Sequence, residues 1–249
     1  MMIYITGDTH AEFNRFSSEN FPEQKTMTKQ DYVIICGDFG GVWDGSKREK
    51  YWLDWLEDKP FTTLFVSGNH ENYDLLSGYT TEYWHGGKVQ FIRPTILHLM
   101  RGQMFDLCEK RFFTMGGASS HDISDGILEP DAPDFRQRKK ELDARLALYR
   151  VNHHSWWADE LPNDMEYQEA EDNLDACART VDYILSHCCP SSIMDAISGG
   201  MYRHDRLTDY FETLMNNCRF QYWFFGHYHD NRVIDRKYIL LYEQIVQME

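Results

Sequence analysis

The chain has 249 residues, of which 42% are hydrophobic, 26% charged and 15% aromatic, a balance that belongs to a folded globular protein and excludes a disordered one. Asp and Glu outnumber Lys and Arg by 40 to 25, and the formal charge of −15 disfavours a broad grip on long nucleic acid or on an anionic membrane. No apolar run approaches the roughly 18 to 20 residues that a membrane-crossing helix needs, which excludes a membrane span.

The first predicted element is a strand over Met2 to Thr6, followed at once by Gly7, Asp8, Thr9 and His10; no basic segment precedes it, so export is not expected. A second strand, Tyr32 to Cys36, runs into Gly37-Asp38, and a third, Thr63 to Val66, into Ser67-Gly68-Asn69. Between them Tyr51, Trp52, Trp55 and Leu56 recur at helical intervals, as a core-facing stripe does. Asp8 to Asp38 is 30 residues and Asp38 to Asn69 is 31, the length of a strand, a crossover helix and a return strand. Residues 116–172 break this rhythm with a Gly116-Gly117 turn, Pro130, Pro133 and the Trp156-Trp157 pair. They are expected to form a lid or side excursion of one domain spanning 1–249, because candidate ligands lie on both sides and no linker divides the chain. Within the excursion Asp134 to Arg150 is predicted helical. A fourth strand, Tyr183 to Leu185, leads to Ser186-His187; a helix striped by Leu207, Tyr210, Phe211 and Leu214 precedes the last strand, Tyr222 to Phe225, which leads to Gly226-His227. The five strands lack alternation, which suits burial on both faces. The six cysteines form no C-x-x-C pair and Cys188 and Cys189 are adjacent, so free thiols in a reducing cytoplasm are expected.

Five strands thus end in Gly or Ser followed by a polar residue able to bind metal. In an open α/β sheet those ends converge on the ligand-binding crevice. The set is Asp8, His10, Asp38, Asn69, His187, His227 and His229: oxygen and imidazole donors without thiolate, which suits Mn, Fe, Co, Ni or Zn. Asp8 with His10, and His227 with His229, stand two residues apart, and in extended backbone each pair faces one side. Seven ligands are too many for one such ion and fit two divalent ions sharing a carboxylate, which would also supply the local positive charge that the acidic chain lacks.

Gly-Asp8-Thr-His10, Gly-Asp38, Gly-Asn69-His70-Glu71, His187 and Gly-His227-Tyr-His229, in that order, resemble the signature of the calcineurin-like metallophosphoesterases over residues 7–229. The resemblance implies a four-layer α/β/β/α sandwich with two central mixed sheets and a binuclear centre at the C-terminal ends of strands. It implies Asp8, His10, Asp38 and His229 on one metal, and Asp38, Asn69, His187 and His227 on the other. It further implies a metal-bridging hydroxide as nucleophile and His70 assisting the leaving group of a phosphatase or phosphodiesterase reaction. The sequence departs from the Ser/Thr protein phosphatase branch: Asp38 is followed by Phe39, Gly40, Gly41, Val42 and Trp43 rather than by x-x-Asp-Arg-Gly. The residue orienting His70 (Asp44 or Glu71) and the phosphate-gripping arginine (Arg203 or Arg232) stay open. Purple acid phosphatases place Tyr where Gly41 stands, so a tyrosinate centre is not expected.

Several residues have plainer readings. His85, His98, His153, His154 and His204 read as core or surface histidines, and His121-Asp122 as an ordinary turn. His187 has a short local signature, with Cys188 or His204 as competitors. The acidic stretch Asp159 to Asp175 reads as a solvated face, and the paired tryptophans as pins for the excursion. A small phosphorylated substrate is expected, with no membrane partner. The alternative is a protein-interaction module that keeps the scaffold without catalysis, but such a module should have lost ligands or His70, and none is missing.

Overall fold

The structure, a computed structural model, describes residues 1–248. Strands β1 (Ile3–Thr6), β2 (Tyr32–Ile35) and β3 (Thr62–Phe65) are buried along their whole length and pair in parallel, as expected of apolar runs without alternation. A meander of β4 (Thr81–Trp84), β5 (Gly87–Arg93) and β6 (Ile96–Leu99) completes one side of this first sheet, with β6 parallel to β3 and the other two pairings antiparallel. The second sheet begins with β7 (Gln103–Leu107) and β8 (Lys110–Met115). A small ladder of β9 (Ile127–Leu128) and β10 (Arg150–Val151) stands outside both sheets. Strands β11 (Tyr183–Ser186), β12 (Tyr222–Phe225), β13 (Arg232–Ile234) and β14 (Tyr238–Leu240) complete the second sheet, and β15 (Ile245–Gln247) returns to pair antiparallel with β1. The sheet orders are β15-β1-β2-β3-β6-β5-β4 and β13-β14-β12-β11-β8-β7, both mixed.

Three apolar clusters stack these sheets into four layers. Ile5, Ile34 and Leu64 of the first sheet meet Phe105, Tyr183 and Phe224 of the second. Behind the first sheet, Val33, Ile35 and Phe65 pack on Leu53 and Leu56 of α1 (Lys47–Glu57) and on Leu76 of the short α2 (Tyr73–Leu76). After α3 (Phe135–Ala144), which stands with the β9–β10 ladder in the excursion, come α4 (Asp164–Ala176), α5 (Ser191–Ser198) and α6 (Arg206–Asn217), which cover the second sheet through Leu174, Ile193 and Phe211. The α/β/β/α architecture is the one implied by the resemblance.

Three local expectations differ. The crossover from β1 to β2 holds two short 3-10 turns, Phe13–Phe16 and Pro22–Thr26, instead of an α-helix. The buried Gln24 amide donates to the carbonyls of Phe16, Ser17 and Phe21 and fixes that coil. The helix expected to Arg150 ends at Ala144, because Leu146 turns through a φ of +53° and Arg150 enters the β10 ladder. The irregular stretch ends near residue 163, since α4, with a capping box made by Asn163 and Glu166, packs Tyr167, Ala170 and Leu174 on the second sheet.

Candidate metal centre

The loops that follow β1, β2 and β3 come from the first sheet, and those that follow β11 and β12 from the second. They meet at one end of the sandwich. His229 Nε2 lies 3.2 Å from Asp8 Oδ2 and 3.1 Å from His10 Nε2, and His10 Nε2 is 3.7 Å from Asp38 Oδ2. On the other side, His187 Nε2 is 3.2 Å from both Asp38 Oδ1 and Asn69 Oδ1. Two compact groups result, Asp8-His10-His229 and Asp8-Asp38-His187. Donor separations near 3 to 3.5 Å follow when bonds of about 2.0–2.2 Å radiate from one ion. Asp8 and Asp38 are 0% and 2% exposed, and among the described residues neither pairs with Lys or Arg, so imidazoles are the only side chains able to carry positive charge that pair with the two buried carboxylates. Buried carboxylates in that position call for cations, and the donor set fits them.

Protonation behaviour reflects the same crowding. Burial opposes ionisation of Asp38, but His187, His70 and His10 hold its carboxyl well below the usual range. Burial also opposes charge on His187, yet Asp38 and Asp8 push it up to about 9. Burial lowers His10, His70 and His227, whereas the Asp8 carboxylate raises His229.

Outer contacts aim the donors. His187 Nδ1–H donates to the Cys36 carbonyl (2.8 Å), which leaves Nε2 free to face the site. Asn69 Nδ2 donates to Ser120 Oγ (3.3 Å), and Ser120 donates through Oγ (2.6 Å) and N (2.9 Å) to the buried Glu160 carboxylate, so the Asn69 oxygen points inward. Asp8 accepts the His227 N–H at 2.9 Å, and Asp38 accepts the His70 N–H at 2.8 Å. Arg15 donates to the Asp8 carbonyl at 2.6 Å and to the Tyr242 carbonyl at 2.5 Å, tying the β1 loop to the chain that enters β15. The junction glycines have a steric reason: a Cβ on Gly226 would stand 2.0 Å from Asp8 Oδ1, and one on Gly68 2.1 Å from Asp38 Oδ1.

A family model for calcineurin-like phosphoesterases matches residues 1–231. The chain belongs to the calcineurin-like phosphoesterase family. It is 25% identical to a lariat debranching enzyme of Caenorhabditis elegans over 91% of this chain and 47% of that protein. It is 27% identical to lariat debranching enzyme A of Xenopus laevis over 52% of the chain and 26% of that protein, and 25% identical to the Caenorhabditis briggsae enzyme over 78% and 37%. The chain thus spans less than half the length of these curated relatives. The chain lacks the Asp-Arg-Gly element of the Ser/Thr protein phosphatase branch and stands outside that branch of the family.

Within this family member the backbone differs from the extended loops assumed from sequence. His10, Asp38, His227 and His229 all have positive φ, between 45° and 70°, a sparsely populated region that clusters at functional sites. His227 and His229 consequently diverge: His229 joins Asp8 and His10, while His227 Nε2 lies 3.3 Å from His121 Nε2 and in neither compact group. His121 is therefore part of the site surroundings rather than an ordinary turn. Neither proposed orienter reaches the His70 ring. Asp44 accepts the Ser46 N–H, and the buried Glu71, pushed up to about 8 by burial and by Asp38, accepts the N–H groups of Phe39 and Gly40. Arg232 pairs with Asp230 at 3.7 Å. The arginine whose charge bears on His70 is Arg150, clamped by Asp122 at 2.6 to 2.9 Å. The signal for this region was present: β8 also ends in glycine followed by polar residues, Gly116-Gly117-Ala118-Ser119-Ser120-His121. His85, His98, His153 and His204 lie elsewhere, hydrogen-bonded to Asp106, Gln90, Asp74 and Asp195. Trp157 is buried and donates to Asp74. Two cavities flank His10: one of about 690 Å³ lined by Asp8, Arg15 and Tyr242, the other of about 330 Å³ lined by Trp43, Trp52 and His70.

Proposed function

We propose that this chain hydrolyses a phosphoester at a two-cation centre. Asp8, His10, Asp38 and His229 would hold one ion, and Asp38, Asn69, His187 and His227 the other. The observation that carries the reading is Asp38, whose two oxygens face different donor groups, Oδ2 toward His10 and Oδ1 toward His187 and the His70 amide. Two divalent ions (Mn, Fe, Zn, Co or Ni) supply there an acidified water and polarised phosphoryl oxygens. His70, backbone-anchored to Asp38 and half-buried beside His10, is placed to give a proton to the departing oxygen. Arg150, held by Asp122, adds positive charge on the His70 side. The excursion, at about 116–163 once α4 is counted with the body, serves as a lid over a single domain, bound to the body through Trp157–Asp74 and through Arg101, which donates to the Asp159 carbonyl.

A small phosphorylated substrate suits the −15 charge, while the names of the relatives, lariat debranching enzymes, favour a branched one. No helix among the described residues is long and apolar enough to cross a membrane, and the six free cysteines fit a cytoplasmic setting. The test is elemental analysis combined with hydrolysis of p-nitrophenyl phosphate and its bis ester by wild type, Asp38→Asn and His70→Ala. Expected are loss of bound metal in Asp38→Asn, and retained metal with turnover lowered about 10²- to 10⁴-fold in His70→Ala. A metal-loaded wild type that turns over no phosphoester would favour the interaction-module alternative.

A further inference from the structure

We propose that His121 is an additional ligand of the second cation, beside His227 and together with Asn69, Asp38 and His187. This rests on the two-cation reading and extends it by one residue from the loop after β8. The first donor group contains an imidazole pair whose Nε2 atoms are 3.1 Å apart, His10 and His229. The same spacing recurs across the site, where His121 Nε2 and His227 Nε2 are 3.3 Å apart. Two ring nitrogens facing each other at that distance either share a proton or converge on a common cation, and 3.3 Å is close to the ligand-to-ligand separation around one ion with bonds near 2.0–2.1 Å.

The surroundings of His121 hold its ring in that direction. The imidazole stacks on Tyr202 with centroids 3.9 Å apart and planes 15° apart, and lies 4.6 Å from the His227 ring. Its two chain neighbours are both tethered, Ser120 to Glu160 and Asp122 to Arg150. Of these donors, His227 has the weakest hold on the compact groups, and His121 is what its Nε2 faces. With His121 the second ion would have five protein donors, three of them imidazoles. Such a nitrogen-rich donor set would favour Zn, Ni or Co over Mn there.

The experiment is titration of the metal-stripped full chain with Co(II), followed by absorption spectroscopy and by elemental analysis after desalting. Wild type should take up two ions. His121→Ala should retain one at wild-type affinity, bind the other at least tenfold more weakly and lose the corresponding absorption band. His121→Asp, which restores a donor, should recover part of both. Because His121 is exposed, unchanged far-UV circular dichroism of the variants separates ligand loss from misfolding. If His121→Ala binds both ions with unchanged affinity and spectrum, the proposal is overturned while the two-cation reading stands, and a raised KM alone would make His121 a substrate contact. A wild type that takes up no cation overturns both.

Discussion

Replacing Glu160 should damage a metal site that it does not touch. Its carboxylate is 3% exposed and accepts two hydrogen bonds from Ser120, whose Oγ in turn receives the Asn69 amide. Glu160→Ala strands the buried Ser120 N–H, at about 1–3 kcal/mol, and removes a charge-assisted bond of about 1.5–3 kcal/mol, so a loss of about 2.5–6 kcal/mol is expected. Glu160→Gln keeps one acceptor oxygen and should lose about 1–2 kcal/mol. In both variants the Ser120 hydroxyl that receives the Asn69 amide has its own anchor removed or weakened, and affinity for the second ion should fall about 10- to 100-fold with the first ion unaffected. The carboxyl is raised above its ordinary 4.5, chiefly by burial, so the folded chain holds that proton more tightly than the unfolded one. Its contribution is complete below 4.5 and is lost as pH rises through the folded value, so wild type should lose stability relative to Glu160→Gln over that window. Urea unfolding across pH and Co(II) titration of both variants measure these effects. An affinity for both ions within twofold of wild type in Glu160→Gln would refute the relay from Glu160 to Asn69.

Gly226→Ala should abolish uptake of the first ion, because its Cβ would collide with Asp8 Oδ1 at 2.0 Å; elemental analysis of the purified variant checks this. His98 is buried on β6, stacked on Phe65, and burial pushes it down to about 3 from 6.5. The unfolded chain therefore binds the extra proton first as pH falls, and wild type should lose up to about 5 kcal/mol relative to its stability near neutrality as pH drops from 6.5 toward 3. His98→Phe should flatten that acid limb in urea unfolding. Removing the metals with EDTA should lower the thermal midpoint by about 10–20 °C, the equivalent of roughly 5.4 kcal/mol for two ions each standing at a hundred times its Kd; calorimetry before and after Co(II) is restored measures it.

The five strands and the candidate ligands at their ends were legible because each is a short apolar run buried on both faces and then broken by Gly or Ser. β8 escaped notice because Lys110 and Arg111 open it with charge; Ser120 went with it, and His121, without a strand to lead into it, read as an ordinary turn. Glu160 looked like part of a solvated acidic face, and only its enclosure by the excursion makes it an acceptor for Ser120. The extent of α3 was overestimated because helical propensity over Asp134 to Arg150 says nothing of the ladder that claims Arg150. The left-handed backbone at Asp38 and His229 was equally hidden, since it is imposed by contacts far away in sequence.

The Asp8 carboxylate, rooted in the first sheet, grips the His227 amide of the second. A cavity for ions therefore does not exist in either half by itself, and it comes into being only when both halves have docked. Cation capture would in this sense follow the docking of the two sheets, and a bound pair would act as a rivet across the seam between them. Any fragment lacking one sheet should be blind to cobalt, which makes a simple colour change a reporter of completed assembly.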